Sequence, residues 1–135
     1  MSEETRMRGG QSLAEALESL LAQWSEQTGI AVETWALPGT DVPSRVSGGV
    51  METMREALSN VERHSRAKTV SVAVTTGPSG LRLTVSDDGQ GLPDGRTGRG
   101  IARMRAAFAE LGGSLSVKGV PGEGTTVSGV IPRRR

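Results

Sequence analysis

Leu81-Arg82-Leu83-Thr84-Val85-Ser86 running into Asp87-Asp88-Gly89-Gln90-Gly91 is the stretch that decides the fold. Leu81, Leu83 and Val85 alternate with polar residues, the period of a half-buried strand. A strand that ends in Asp-x-Gly-x-Gly delivers a carboxylate to the end of a sheet. The glycines then let the backbone turn away sharply and approach a ligand closely. Acidic, glycine-rich turns are common, so the weight of this one comes from its companions. Glu56-x-x-x-Asn60 precedes it, and Gly98-x-Gly100 and Gly122-x-Gly124-Thr125 come after it.

Outward from that strand, Gly77-Pro78-Ser79-Gly80 is a turn back to Thr69–Thr75, where Val70, Val72 and Val74 share one face, so the two segments form a hairpin. Leu13, Leu17, Leu20, Leu21 and Trp24 follow helical spacing from Ser12 to a stop at Gly29, and Ile30 to Leu37 reads as a strand. Pro43 suits the first turn of a second helix that runs to about His64. Gly89 to Arg99 is glycine-rich and irregular, with Leu92 its one large apolar anchor. Ile101, Met104, Phe108 and Leu111 mark a third helix that ends at Gly112-Gly113. Ser114–Val120 and Thr125–Ile131 are closing strands joined by Pro121–Gly124. Helices with an at least partly antiparallel sheet in one small unit predict an α+β fold, a two-layer α/β sandwich. Residues 1–10 read as a flexible lead, 11–132 as the domain and 133–135 as a basic tail.

Along the second helix Val50, Met54, Ala57, Leu58 and Val61 form one stripe at about 100° per residue. Glu56, Asn60, Arg63 and His64 gather along one flank of that stripe, while Arg55, Ser59 and Glu62 fall elsewhere. An edge with carboxylate, amide, guanidinium and imidazole suits phosphate and a hard cation. Asn60 offers a carbonyl oxygen to magnesium, Arg63 offers phosphate donors, and Glu56 holds a metal-bound water or accepts a proton. The plainer reading makes Glu56 and Asn60 surface residues, His64 a cap and Asp87 a turn former. Gly98 and Gly100 at a helix entry suit anion binding. They form neither a Walker A loop, since no Gly-Lys-Ser/Thr occurs, nor a dinucleotide fingerprint, since no strand leads into them.

The bulk numbers narrow the classes. The 135 residues suit one domain with a core, and a net charge of +1 projects no field toward nucleic acid or anionic lipid. There is no cysteine, hence no disulfide framework or thiolate chemistry. No apolar run approaches the ~18 residues of a membrane span, and the polar start Met1-Ser2-Glu3-Glu4-Thr5-Arg6 is no secretory signal. Trp24, Trp35 and Phe108 are the only aromatics, which counts against base stacking on single strands.

Together the blocks resemble the ATP-binding domain shared by sensor histidine kinases, heat-shock chaperones, type II topoisomerases and mismatch-repair ATPases. Arg55 to Ala67 resembles the asparagine box, Asp87–Gly91 and Gly98–Ile101 the two glycine boxes, and Gly122-Glu123-Gly124-Thr125-Thr126 the last block. The ending Arg63-His64-Ser65-Arg66-Ala67 and the run Leu111-Gly112-Gly113-Ser114-Leu115 are similar to the histidine kinases that pair with helix-turn-helix response regulators. Arg99, where histidine is frequent, and Ala106-Ala107 depart from that pattern.

The resemblance implies a Bergerat-type fold, a mixed, mostly antiparallel sheet with helices on one face, that binds ATP with Mg2+. It implies that Asp87 accepts from the adenine amino group and that Asn60 ligates magnesium on the triphosphate. Glu56 is then the catalytic residue, at the metal or as base, and Arg63 and His64 approach phosphates. Gly89 and Gly91 shape the adenine-side turn, Gly98, Gly100 and Ile101 belong to the phosphate lid and helix start, and Thr125 backs the adenine pocket. A histidine kinase needs an acceptor histidine, yet His64, the single histidine, lies in the asparagine box. The chain thus resembles a catalytic fragment, a monomer whose partners are its own dimerisation and phosphoacceptor domain and a cognate response regulator. The resemblance also implies contact with neither nucleic acid nor membrane, and a place in the cytoplasmic portion of a sensor. An anti-sigma factor serine kinase is the alternative, with a nucleotide-gated clamp and a remnant without nucleotide behind it.

Overall fold

The computed structural model describes residues 12–40, 42–89 and 99–133, without the side chains of His64, Ser65 and Arg99. The expected lead at 1–10, most of the basic tail and the irregular stretch through Gly91 and Gly98 lie outside the described residues. Helix α1 spans Leu13–Thr28, strand β1 Ala31–Ala36, helix α2 Ser44–Asn60 with a π-helical turn at Val61–Ser65, and strand β2 Thr69–Gly77. Strand β3 spans Gly80–Asp87, helix α3 Arg99–Glu110, strand β4 Ser114–Val120 and strand β5 Gly124–Pro132.

Local chemistry sets the boundaries. Ser12 and Glu15 cap α1 reciprocally: the Glu15 N–H donates to Ser12 Oγ at 3.1 Å and the Ser12 N–H to Glu15 Oε1 at 2.9 Å. At the other end the Gly29 N–H donates to the Ser25 carbonyl at 2.9 Å. The chain leaves α3 in the same way, with the Gly113 N–H on the Phe108 carbonyl at 2.8 Å.

The sheet order is β1-β2-β3-β5-β4. β1 and β2 are parallel, joined across α2, and the remaining pairs are antiparallel. β2 and β3 form the expected hairpin, paired from Val70–Asp87 to Gly77–Gly80. A second crossover, β3–α3–β4, leaves a gap that β5 fills. The helices cover one face. Val70, Val72, Val74, Leu81, Leu83, Val85, Val127 and Ile131 point from the sheet into a single core with Leu13, Leu17, Val50, Met54, Leu58, Met104 and Phe108. The expected sandwich is therefore the fold. Phe108 lies directly over Gly129, where a Cβ would collide with its ring.

Three details differ from the expectations. The second helix is α-helical only to Asn60, and then widens into the π turn that carries Arg63 and His64. It ends at Arg66, in the left-handed region at φ 55°. Helix α3 starts two residues before Ile101, which puts Gly100 inside its first turn. In β1 the pairing slips between Thr34 and Ala36, so Trp35 is the extra residue of a bulge and stands 74% exposed.

Candidate functional site

The α2 stripe is buried as expected, and it is wider than expected: Ser47, Met51 and Thr53 join Val50, Met54, Ala57, Leu58 and Val61. Burial of that face fixes the helix about its axis and turns the polar flank toward the first turn of α3. There a Cβ on Gly100 would stand 2.8 Å from Glu56 Oε2 and 3.3 Å from Asn60 Oδ1. A side chain there would press on Glu56 Oε2 and on the Asn60 amide, whose Nδ2 is 3.4 Å from the same position. Arg63, in the π turn, lies over the same edge, where Nη2 donates to Asn60 Oδ1 at 3.2 Å and Nε to the Ser59 carbonyl at 3.4 Å. π turns are rare and frequent at functional sites. Thus Glu56, Asn60, Arg63 and Gly100 come together. Ile101 instead turns into the core, 3% exposed, and anchors α3 there. The side chain of His64 lies outside what the structure describes.

A second group forms where β3 ends. Asp87 Oδ1 accepts from the Gly89 N–H at 2.8 Å, and the carboxylate also takes the Thr125 N–H. Burial pushes the Asp87 carboxyl above its ordinary range, these two hydrogen bonds oppose the shift, and the Asp88 charge adds to it. Gly124 holds φ +105° and runs so close to the Asp87 carbonyl that a side chain would strike it. The last block is therefore packed against the carboxylate strand. Gly91 and Gly98 are outside the described residues.

Two residues that motif spacing did not single out join these groups. Asp88 Oδ1 accepts from the Lys68 and Thr69 N–H groups at 2.9 and 3.1 Å, and so clips the end of β3 to the segment that leaves α2. Those bonds, Thr69 first, hold the Asp88 carboxyl below its usual range. Arg103 Nη1 donates to Glu56 Oε1 at 2.6 Å. Its place three residues after Gly100, on the same helical face, was the available signal.

The oxygen donors suit magnesium shared with phosphate oxygens: Glu56 Oε2 and Asn60 Oδ1 both lie beside Gly100, and no cluster of three His, Cys, Asp or Glu side chains forms among the described residues. An acceptor carboxylate at a strand end, a carboxylate and an amide beside a helix's first turn, and a neighbouring guanidinium have the chemistry to hold an anion with its cation. Residues 46–135 match the model of the histidine kinase-, DNA gyrase B- and HSP90-like ATPases. The chain belongs to that family. Within this ATPase family, it is 33% identical over 126 residues to the sensor histidine kinase LiaS of Bacillus subtilis strain 168, covering 91% of this chain and 35% of LiaS. It is 34% identical over 119 residues to the nitrate/nitrite sensor NarX of Escherichia coli K12, covering 85% of this chain and 20% of NarX. The chain therefore spans about a third or less of such relatives. Among solved structures, the blue-light activated histidine kinase of Erythrobacter litoralis EL346 aligns with a TM-score of 0.75 and 27% identity, over 90% of this chain and 42% of that one. The ATP-binding domain of PrrB from Mycobacterium tuberculosis shares the fold, with a TM-score of 0.69 at 17% identity over 92% of this chain and 96% of that one. Among the described residues no helix is long and apolar enough to cross a membrane.

Proposed function

We propose that residues 11–132 are the catalytic domain of a two-component sensor histidine kinase, which binds ATP with Mg2+ and donates the γ-phosphoryl group to a histidine on a separate helical domain. The observation that carries this reading is the placing of Glu56 Oε2 and the Asn60 amide together beside Gly100 of α3. It gives the phosphate end of a nucleotide an oxygen donor for its cation and a carboxylate beside it. Asp87, an acceptor fixed by two backbone N–H groups, suits the exocyclic amino group of adenine, where guanine presents a carbonyl. Bound magnesium would neutralise charge on the triphosphate. Asn60 would hold it, Arg63 would exchange its bond to Asn60 Oδ1 for a phosphate oxygen, and Glu56 would take the acceptor's proton or order water.

The relatives are longer, which supports an acceptor on a part of the kinase outside this sequence. With the sensor's helical domain and response regulator as partners, the domain acts as a monomer on the cytoplasmic side. The test is incubation with Mg-ATP, alone and with a separately made helical hairpin that bears the acceptor histidine. Alone the chain acquires no stable phosphohistidine, since transfer needs an acceptor in line with the γ-phosphate. With the hairpin, acid-labile phosphate appears slowly, because the covalent linker's effective concentration is lost. Acid-stable phosphate on an added anti-sigma antagonist, with none on the hairpin, would overturn the reading in favour of a serine kinase.

A further inference from the structure

Arg103 is the second partner of the proposed catalytic carboxylate. The contact divides the two oxygens of Glu56: Oε1 takes the guanidinium at 2.6 Å, and Oε2 faces Gly100 and Asn60. Glu56 is largely covered at 18% exposure, whereas Arg103 is 56% exposed. A surface ion pair of this kind contributes about 0–1 kcal/mol to stability. Its effect on geometry is larger, because a glutamate has several rotatable bonds and loses its orientation without a partner. The base of Arg103 is itself fixed: Ile101 and Met104, on either side along α3, are buried at 3% and 1% exposure.

We propose that Arg103 is a positioning residue for phosphoryl transfer. It holds Glu56 in the rotamer that presents Oε2 beside Asn60 Oδ1, and it ties the first turn of α3 to α2. This rests on the kinase reading above, in which Glu56 serves the transfer step. Arg103 itself touches neither nucleotide nor acceptor.

The experiment measures transfer to the hairpin at saturating Mg-ATP, and binding of a fluorescent ATP analogue, for Arg103→Ala, Arg103→Lys, Glu56→Gln and the double variant Arg103→Ala/Glu56→Gln. Arg103→Ala slows transfer between about 10- and 100-fold, the range for a misplaced catalytic group, with affinity held within about twofold. Arg103→Lys recovers part of the rate, since an ammonium is a point charge without the guanidinium's fixed fork. In the Glu56→Gln background Arg103→Ala adds no further loss. A drop in analogue affinity as large as the drop in rate would make Arg103 a nucleotide contact and overturn the proposal. Equal losses in both backgrounds, or an unchanged rate, would overturn it as well. A second readout needs no transfer: side-chain couplings of Glu56 by NMR report one rotamer in the wild type and averaged rotamers in Arg103→Ala. Unchanged couplings would end the proposal. Wild-type protein that transfers to no acceptor, while the couplings change as expected, would sink the kinase reading and leave Arg103's role toward Glu56 standing.

Discussion

Asp87 sits where burial raises its pKa, so the folded state holds its proton more firmly than the unfolded chain. Stability from this group is full below the ordinary carboxylate range and is lost as pH rises through the raised value. At neutral pH the ionised carboxylate is therefore a cost to folding, in keeping with its proposed role as the adenine acceptor. Asp87→Asn should raise the melting temperature of the nucleotide-free protein at pH ~7, and that gain should shrink toward pH ~4 as the wild-type group protonates. The same variant should lose about 1.5–3 kcal/mol of ATP binding, read by calorimetry, as expected for a hydrogen bond to a charged group. Gly100 separates the two properties in the same sense. Alanine suits a helix better by about 1 kcal/mol, yet its Cβ would displace Glu56 Oε2 from 2.8 Å away. Gly100→Ala should keep or raise the melting temperature and weaken Mg-ATP binding tenfold or more, about 1.4 kcal/mol.

The elements meet through short clips. Asp88 joins the end of β3 to the start of β2 through two backbone N–H groups, which places the α2 exit beside the Asp87 strand. Its carboxyl is held below the usual range, so its contribution is present above that range and is lost as pH falls through the lowered value. Asp88→Ala should cost about 0.5–1.5 kcal/mol in denaturant unfolding at neutral pH, the net worth of such a hydrogen bond. Asp88→Asn keeps an accepting oxygen and should recover most of it, without the wild type's loss in acid. The π turn at Val61–Ser65 is another such joint. Within it the Arg63 guanidinium reaches back to Asn60, three residues earlier.

Across the whole molecule, Phe108 is fully buried and roofs Gly129, so it joins α3 to strand β5. Phe108→Ala should cost about 3–5 kcal/mol, and unfolding should remain a single transition seen alike by circular dichroism and fluorescence. Much of this architecture was legible from residue order. Alternation in Val70–Val74 and Leu81–Val85 announced the hairpin, and the Asp87 and Glu56–Asn60 spacings announced the polar ends of a strand and a helix. These features depend on neighbours a few residues apart. The Glu56–Arg103 pair depends on how two helices dock, with only Arg103's spacing from Gly100 to hint at it, and the Asp88 clip depends on register between distant segments. The bulge at Trp35 is similar: one inserted residue leaves the composition of a strand unchanged while shifting the pairing of Ala36. The left-handed turn at Arg66 carries no glycine to mark it.

The same bulge gives the protein an optical property. With no tyrosine in the sequence, its near-ultraviolet emission comes from two indoles in opposite surroundings. Trp24 is buried at 8% exposure, its Nε1 without a hydrogen-bond partner among the described residues, and Trp35 stands in solvent at 74%. Trp24 accordingly emits to the blue and Trp35 to the red. A dissolved quencher such as iodide extinguishes the red component first and leaves the blue one as a gauge of whether α1 is still seated on the core. The domain thus reports its own folding, with no label attached and with neither dye among the residues proposed to hold the nucleotide.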